Sequence, residues 1–390
     1  MANLIDPFWI RLPNILVGSG TTAQTGEIAK NLGAKKVLIV TDAGVVRAGL
    51  FNHIRESLVR QGIEFGLFDG CLPNAPVGPI KNCADIAREG KYDLLIGIGG
   101  GSVMDTAKLA AIATLRSDSV EAIGRYAIMG APRKGLPTIL IPTTAGTGSE
   151  ASASAVFTDH EGIIKGTRGE YIVAEIAIVD PQMTQTLPPQ ITAETGFDAF
   201  CHAFEAYTGK RANLVSEAMD EMAMKLISDN LRLTYHEGLK NLEARYKMAV
   251  AATFAMASVS ISQAGLPHAM GHVIQDIVNT SHSNSLSVLL PSIMEFNVNT
   301  CPDKFSRVAM FMNEMIEGLS QAEAAIKAIS AVRKLISDLQ LPQRMRDIGV
   351  SKSQIPHLVD LLFDTMIRNV GNNLRPVSRE DAARIFETAL

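Results

Sequence analysis

Tyr92-Asp93-Leu94-Leu95-Ile96-Gly97-Ile98-Gly99-Gly100-Gly101-Ser102 decides the first half of this chain. A short apolar run bounded by glycines reads as a buried strand, here turning into a helix over residues 103–116. Glycines at such a turn let the backbone come close to a pyrophosphate. The free N–H groups and the dipole of the following helix favour its negative charge. The run is not the spaced G-x-G-x-x-G fingerprint, so its place after an apolar strand carries the argument. Gly99, Gly100, Gly101 and Ser102 are therefore the candidate phosphate cradle.

On the N-terminal side, residues 36–42 form a β-branched run that suits a fully buried parallel strand. It ends at Asp42, where an acidic group could hold a ribose hydroxyl and repel a 2′-phosphate. An ordinary strand-end turn residue is the simpler reading of the same position. Further strands are expected at 64–68, 137–142 and 176–180, and short ones at 8–11 and 14–17 around Pro13. Helices are expected at 50–61 and 79–90, with Thr21 or Thr22 capping another that runs to residue 32. Strands and helices alternating at this spacing imply right-handed βαβ units and a doubly wound sheet. The strand at 137–142 runs into Thr143-Thr144-Ala145-Gly146-Thr147-Gly148-Ser149-Glu150. That loop of small hydroxyl and glycine residues can wrap phosphate, ribose or amide groups. Residues 156–165 suggest a polar hairpin.

Near residue 188 the β signals vanish. Apolar residues recur at helical spacing through 191–207, 216–233, 242–262, 266–278, 286–297, 322–339, 353–367 and 379–390. The expected organisation is an α/β domain over residues 1–187 and an all-α domain over residues 188–390. Four of the eight histidines fall in two short windows of the helical half. Asp198 and His202 are i and i+4, so one helix face presents both. His268 and His272 repeat the spacing, and His282 follows. Three imidazoles and one carboxylate suit iron or zinc better than calcium or magnesium. The plainer alternative is a set of packed core histidines.

The chain has 390 residues, 47% hydrophobic and 19% charged, as an ordinary two-domain globular protein would. With a net charge of −4 and no Lys/Arg-rich block, nothing points to nucleic acid or an anionic membrane. Cys71, Cys83, Cys201 and Cys301 show no C-x-x-C spacing and suit reduced thiols in a cytoplasmic protein. Residues 1–7 hold no basic region before an apolar run, so no signal peptide is expected. Residues 248–270 lack charge and are long enough to span a bilayer, but their Ala/Ser content, Gln263 and His268 suit a buried helix.

At these residues the chain resembles the iron-containing (group III) alcohol dehydrogenases, essentially end to end. Gly99-Gly100-Gly101-Ser102 with Asp105 and Lys108 is similar to that family's pyrophosphate turn and helix. Residues 142–150 are similar to its second signature, which implies cofactor contacts at Thr143, Thr144, Thr147 and Ser149. Asp198-x-x-x-His202, followed by Glu205-Ala206-Tyr207, matches the first metal motif, and His268-Ala269-Met270-Gly271-His272 with His282 matches the second. The resemblance implies a Rossmann-like α/β dinucleotide-binding domain followed by an all-α metal-binding domain. It implies Fe²⁺, or Zn²⁺ in some members, on Asp198, His202, His268 and His282. His272 lies close to that site without being a necessary ligand, and is either a proton relay or a histidine that only packs beside the ligands. NAD is implied over NADP through Asp42, and Lys165 falls within a residue of a lysine that the family places on the cofactor. The implied activity is reversible hydride transfer between an alcohol or hydroxy acid and the nicotinamide, with the metal as Lewis acid, in a homodimer or larger assembly.

The chain also departs from the pattern. Ser283 stands where many members have Gly, Leu286 where they have Asn, and residues 273–278 lack the glycines often found there. Those positions border the family's substrate pocket, which puts the usual short alcohols and diols in doubt. The alternative reading is a dehydroquinate synthase-like lyase using metal and NAD. The scarcity of Lys and Arg near the histidine motifs argues against it.

Overall fold

A parallel strand covered on both faces must bury every side chain, and the apolar runs of the first half do so. In a computed structural model of the protein, residues 8–115 and 134–390 are described. The readings that touched residues 1–7 and residue 116 lie outside them. The strands are β1 (Asn14–Val17), β2 (Lys36–Val40), β3 (Glu64–Phe68), β4 (Leu94–Gly99), β5 (Thr138–Pro142), β6 (Ser154–Thr158), β7 (Ile164–Arg168) and β8 (Ile176–Val179). Six of them form a wholly parallel sheet in the order β1-β8-β5-β4-β2-β3. The other two make an antiparallel hairpin in which Phe157 pairs with Lys165.

The chain divides into two compact units, Ile10–Leu187 and Pro188–Leu390, with Phe8 and Trp9 grouped with the second. In the first unit α1 (Thr25–Asn31), α2 (Ala43–Arg47), α3 (Asn52–Arg60), α4 (Val77–Glu89) and α5 (Gly101–Ala113) accompany the sheet. Alternation along the strands sends side chains to two cores. Leu38, Val40, Leu95 and Leu140 pack with Ile80, Ala84, Met104 and Ala107 of α4 and α5. Val37, Ile39, Ile96, Ile98 and Ile141 pack with Ala29, Ile54 and Leu58 of α1 and α3.

The topology places the candidate nucleotide residues. Parallel neighbours bring their C-terminal ends to one edge, so the residues after β2, β4 and β5 share it. The chain leaves β2 for β3 on one side and leaves β4 for β5 on the other. A doubly wound sheet binds ligands at such a reversal.

Two local expectations fail. No strand forms at residues 8–11, where Trp9 is 93% exposed and no neighbouring strand is paired with it. Neither Thr21 nor Thr22 caps a helix by its side chain: a 3₁₀ turn (Thr21–Gln24) precedes α1, and Gly20 begins it. The orphan donors are met from just beyond β8 instead, because Asp180 accepts from Gly20 N–H, Thr22 N–H and the Thr22 hydroxyl.

The second unit is helical: α6 (Pro189–Thr208), α7 (Leu214–Glu237), α8 (Leu242–Ser262), α9 (Leu266–Gln275), α10 (His282–Asn297), α11 (Pro302–Phe311), α12 (Gln321–Asp338), α13 (Ile355–Thr365), α14 (Ile367–Gly371) and α15 (Arg379–Ala389). One of its cores joins α9 and α10 to α13 and α15 through Met270, Leu289, Leu358 and Phe386. The uncharged stretch at 248–270 does not run straight. It breaks after Ser262, at Gln263 with φ 73°, and α8 and α9 meet at 102°. Among the described residues no single helix is long and apolar enough to cross a membrane.

Candidate active site

The edge of the parallel sheet is tied together before any ligand is considered. Thr41, after β2, donates its hydroxyl to the Ile98 carbonyl of β4 (2.7 Å), and Thr143 N–H donates to the Gly99 carbonyl (3.0 Å). The three glycines have separate reasons. A Cβ on Gly99 would stand 2.6 Å from Val103, and one on Gly101 would stand 2.8 Å from Thr147. Both are therefore packing glycines. Gly100 meets nothing closer than Thr144 at 3.5 Å, so it is the position whose bareness is left for a ligand. No side chain caps the N-terminus of α5. The Ser102 hydroxyl accepts from Asn74 N–H (3.0 Å), which leaves its own proton to donate. The Thr144 hydroxyl oxygen is buried without a hydrogen-bond partner. These groups and the open end of α5 make a cradle suited to a pyrophosphate.

Asp42 does two things. Its Oδ1 caps α2, accepting from Gly44 N–H (2.7 Å) and Val45 N–H (3.0 Å), and Oδ2 takes no part in the cap. The turn-residue reading and the ribose reading therefore each have an oxygen.

Four sequence-assigned cofactor residues are engaged elsewhere. Both Asp105 oxygens are occupied inside the fold, by the Ser149 hydroxyl (2.6 Å) and Val156 N–H (3.0 Å). Ser149 also accepts from Lys108 Nζ at 2.8 Å. Asp105 and Ser149 thus pin α5 to the 143–150 loop and the hairpin, because a buried carboxylate must be satisfied locally. Thr147 packs against Gly101 and accepts from Ser149 N–H (3.3 Å). Lys165 lies on β7, ion-paired with Asp159 at the hairpin end. Asn74 was missed. The Pro73-Asn74 pair, residues typical of turns, was the available signal, and the turn there takes Asn74 to a φ of 60°.

The helical unit supplies a different chemistry. Asp198, His202 and Glu205 follow i, i+4, i+7 along α6 and are 4%, 5% and 2% exposed. The first two residues of α9 carry the chain to His268, and α10 begins at His282. One ligand atom from each of Asp198, His268 and His282 lies within 4.8 Å of the others. His268 Nε2 stands 3.4 Å and His282 Nε2 3.9 Å from Asp198 Oδ1. Donors bound about 2.0–2.2 Å from one ion stand roughly 3 to 3.6 Å apart, so small shifts would seat a metal. Asp198 Oδ1 and His268 Nε2 are sealed from water and neither makes a hydrogen bond, which is the cost a cation would remove. His202 is beside this trio rather than part of it. Its ring stacks on that of His268 at 4.3 Å, with Nδ1 3.9 Å from Asp198 Oδ2.

Two outer residues hold the imidazoles, and neither was among the sequence candidates. Glu205 grips His268 twice, with Oε2 accepting from its backbone N–H (3.3 Å) and Oε1 lying 2.5 Å from Nδ1. Gln275 Oε1 lies 2.7 Å from His282 Nδ1. Burial alone would lower the His268 pKa, but the Glu205 and Asp198 carboxylates outweigh it and raise it to about 10. Burial and then the charge of His268 push His272 down to about 4. Burial and the neighbouring histidines hold His282 well below its ordinary value. Asp198, though buried, is kept well below the usual carboxylate range by His202, His268 and His282. His272 sits beside His282, rings 4.6 Å apart, with a buried Nδ1 that makes no hydrogen bond. Leu286, expected at a pocket wall, is fully buried and packs on Gly271, whose Cβ would stand 3.0 Å from it.

A family model described as iron-containing alcohol dehydrogenase matches residues 13–181, and one described as the C-terminal part of the Fe-containing alcohol dehydrogenase family matches residues 192–390. The chain belongs to the iron-containing alcohol dehydrogenases. Among relatives of this dehydrogenase, a choline dehydrogenase of Bacillus subtilis (strain 168) is 35% identical over 87% of this chain and 85% of its own. A 1,3-propanediol oxidoreductase crystal structure superposes with a TM-score of 0.94 at 32% identity, covering 98% of this chain and 100% of its own. A sulfoacetaldehyde reductase of Bifidobacterium kashiwanohense, solved in complex with NAD⁺, gives 0.87 at 25% identity and covers 98% of each chain. This iron-containing alcohol dehydrogenase is an NAD-linked oxidoreductase that acts on a small alcohol or its carbonyl product, and the lyase alternative falls away.

Proposed function

We propose that Asp198, His202, His268 and His282 hold the iron, with His202 joining the trio by a turn of its ring, and that NAD lies on the edge formed by Asp42, Gly99–Ser102, Thr143 and Thr144. The observation that carries this reading is the convergence of Asp198 Oδ1, His268 Nε2 and His282 Nε2, of which the first two are buried and make no hydrogen bond. When bound, the metal supplies a Lewis acid that lowers the pKa of an alcohol hydroxyl, and NAD supplies the hydride acceptor. The chain's own part is positional. Glu205 keeps His268 fixed, and His272, neutral at physiological pH, passes the alcohol proton outward. The open end of α5 and the Ser102 and Thr144 hydroxyls hold the pyrophosphate. Asp42 Oδ2 takes a ribose hydroxyl, favouring NAD over NADP.

The same reading has the enzyme acting on an alcohol or hydroxy acid, as a homo-oligomer in the cytoplasm. The four buried, unpaired cysteines support a reducing setting. Metal-stripped protein, reconstituted separately with Fe²⁺ and Zn²⁺, is assayed for NADH formation across alcohols, diols and hydroxy acids. His268→Ala is expected to lose bound metal and activity together. Full activity without metal would sink the reading.

A further inference from the structure

Gln275 ends α9 and His282 begins α10, and one side chain closes the turn between them. The Gln275 amide reaches in two directions: Oε1 lies 2.7 Å from His282 Nδ1, and Nε2 lies 3.5 Å from the Thr280 carbonyl. The second contact settles the orientation of the first. Turning the amide over would set Oε1 against a carbonyl oxygen, two acceptors facing each other. Oε1 therefore faces the imidazole, and an amide oxygen only accepts. His282 must carry its proton on Nδ1 and donate it, so the lone pair is left on Nε2, the nitrogen 3.9 Å from Asp198 Oδ1.

The two imidazoles that approach Asp198 are thus held from behind by different groups. His268 Nδ1 faces a carboxylate, Glu205. His282 Nδ1 faces a neutral amide. A carboxylate draws the proton towards itself and makes the far nitrogen a stronger donor, whereas an amide fixes the ring without adding charge.

We propose that Gln275 is a positioning residue for His282, setting its tautomer and ring orientation for metal binding and keeping it a weaker donor than His268. The consequence is an uneven metal centre, with the firm grip on the Asp198–His268 side and less electron density given from His282, so that the ion keeps more of its charge. This inference rests on the metal reading above.

The test uses the full chain with Co²⁺ or Zn²⁺ as probe and two variants. Gln275→Leu removes the acceptor at similar size. Metal affinity by chelator competition is expected to fall by roughly 10- to 100-fold, the range for lost outer partners of ligating histidines. The Co²⁺ absorption spectrum is expected to change with it. Gln275→Glu keeps the acceptor and adds charge: it is expected to bind metal more tightly than wild type, to shift the Co²⁺ spectrum, and to lower kcat more than it changes KM. Wild-type affinity and spectrum in Gln275→Leu would overturn the proposal and leave Gln275 as a pin on residues 276–281. If Gln275→Leu fails to fold, Gln275→Glu decides, since metal binding no tighter than wild type overturns it as well. A wild-type chain that binds no metal would bring down the metal reading itself, an outcome distinct from either variant result.

Discussion

The Lys108 ammonium is fully enclosed, yet it has four oxygens within reach: Ser149 Oγ (2.8 Å), Ser152 Oγ (2.9 Å), the Ser154 carbonyl (2.9 Å) and Asp105 Oδ1 (3.5 Å). Removing it would leave the Asp105 carboxylate buried without its counter-charge, so Lys108→Met is expected to lower stability by about 3–5 kcal/mol. Burial pushes the Lys108 pKa down from 10.5, and the Asp105 and Glu150 carboxylates only partly restore it. Between that lowered value and 10.5 the unfolded chain binds more protons than the folded one, so this group makes stability rise with pH across the window. Urea unfolding followed as the pH rises towards 10.5 should therefore show a shallower rise for Lys108→Met, and parallel curves would refute the assignment. Residues of this kind differ in how visible they are in a sequence. Glu205 was within reach, since Asp198, His202 and Glu205 share a helical face at i, i+4, i+7. Gln275 was not, because its partner lies across a turn whose path no local pattern specifies. The bareness of Gly271 makes sense only beside Ser285 and Leu286, fourteen and fifteen positions on and packed against it.

At the scale of the element, the sheet was the most legible part of the fold. Parallel strands covered on both faces are uninterrupted apolar runs, and β2, β3, β5 and β8 fall inside the runs that announced them, while β4 passes the end of its run by Gly99 alone. α11 was missed. Pro302 looks like a breaker but occupies the first turn, where its lost N–H costs nothing, and Phe305, Val308 and Ala309 form its buried face. The start of α2 carries a functional question. Asp42 caps this five-residue helix with Oδ1 alone. A serine could keep the cap while removing the second oxygen and the charge. Asp42→Ser is expected to melt with the wild type, to raise the KM for NAD roughly tenfold or more for a lost charged hydrogen bond, and to gain activity with NADP. Asp42→Ala should in addition lose about 1 kcal/mol of stability. If Asp42→Ser keeps the wild-type preference between the two dinucleotides, Asp42 is a cap and nothing more.

Over the whole molecule, the two candidate ligand sets fall in different compact units. Asp42, Gly99–Ser102, Thr143 and Thr144 belong to Ile10–Leu187, and Asp198, His202, His268 and His282 to Pro188–Leu390. A ligand stabilises the folded form of whatever it binds by an amount fixed by its concentration relative to Kd, about 2.7 kcal/mol at a hundredfold excess. That corresponds to roughly a 100-fold slowing of exchange for amides that exchange only when the liganded region opens. Hydrogen exchange can therefore assign each ligand without a substrate in hand. NAD alone is expected to slow the amides of Gly99–Asp105 and the loop at 143–149. Divalent iron alone, under anaerobic conditions, is expected to slow those of α6 around Asp198 and of residues 268–282. Protection by NAD that spared Gly100, Gly101 and Ser102 would refute the cradle at the end of β4, even in a fully active enzyme. Protection by iron that spared both His268 and His282 would refute the metal centre in the same way, because no amide next to a ligating side chain can open without breaking that contact.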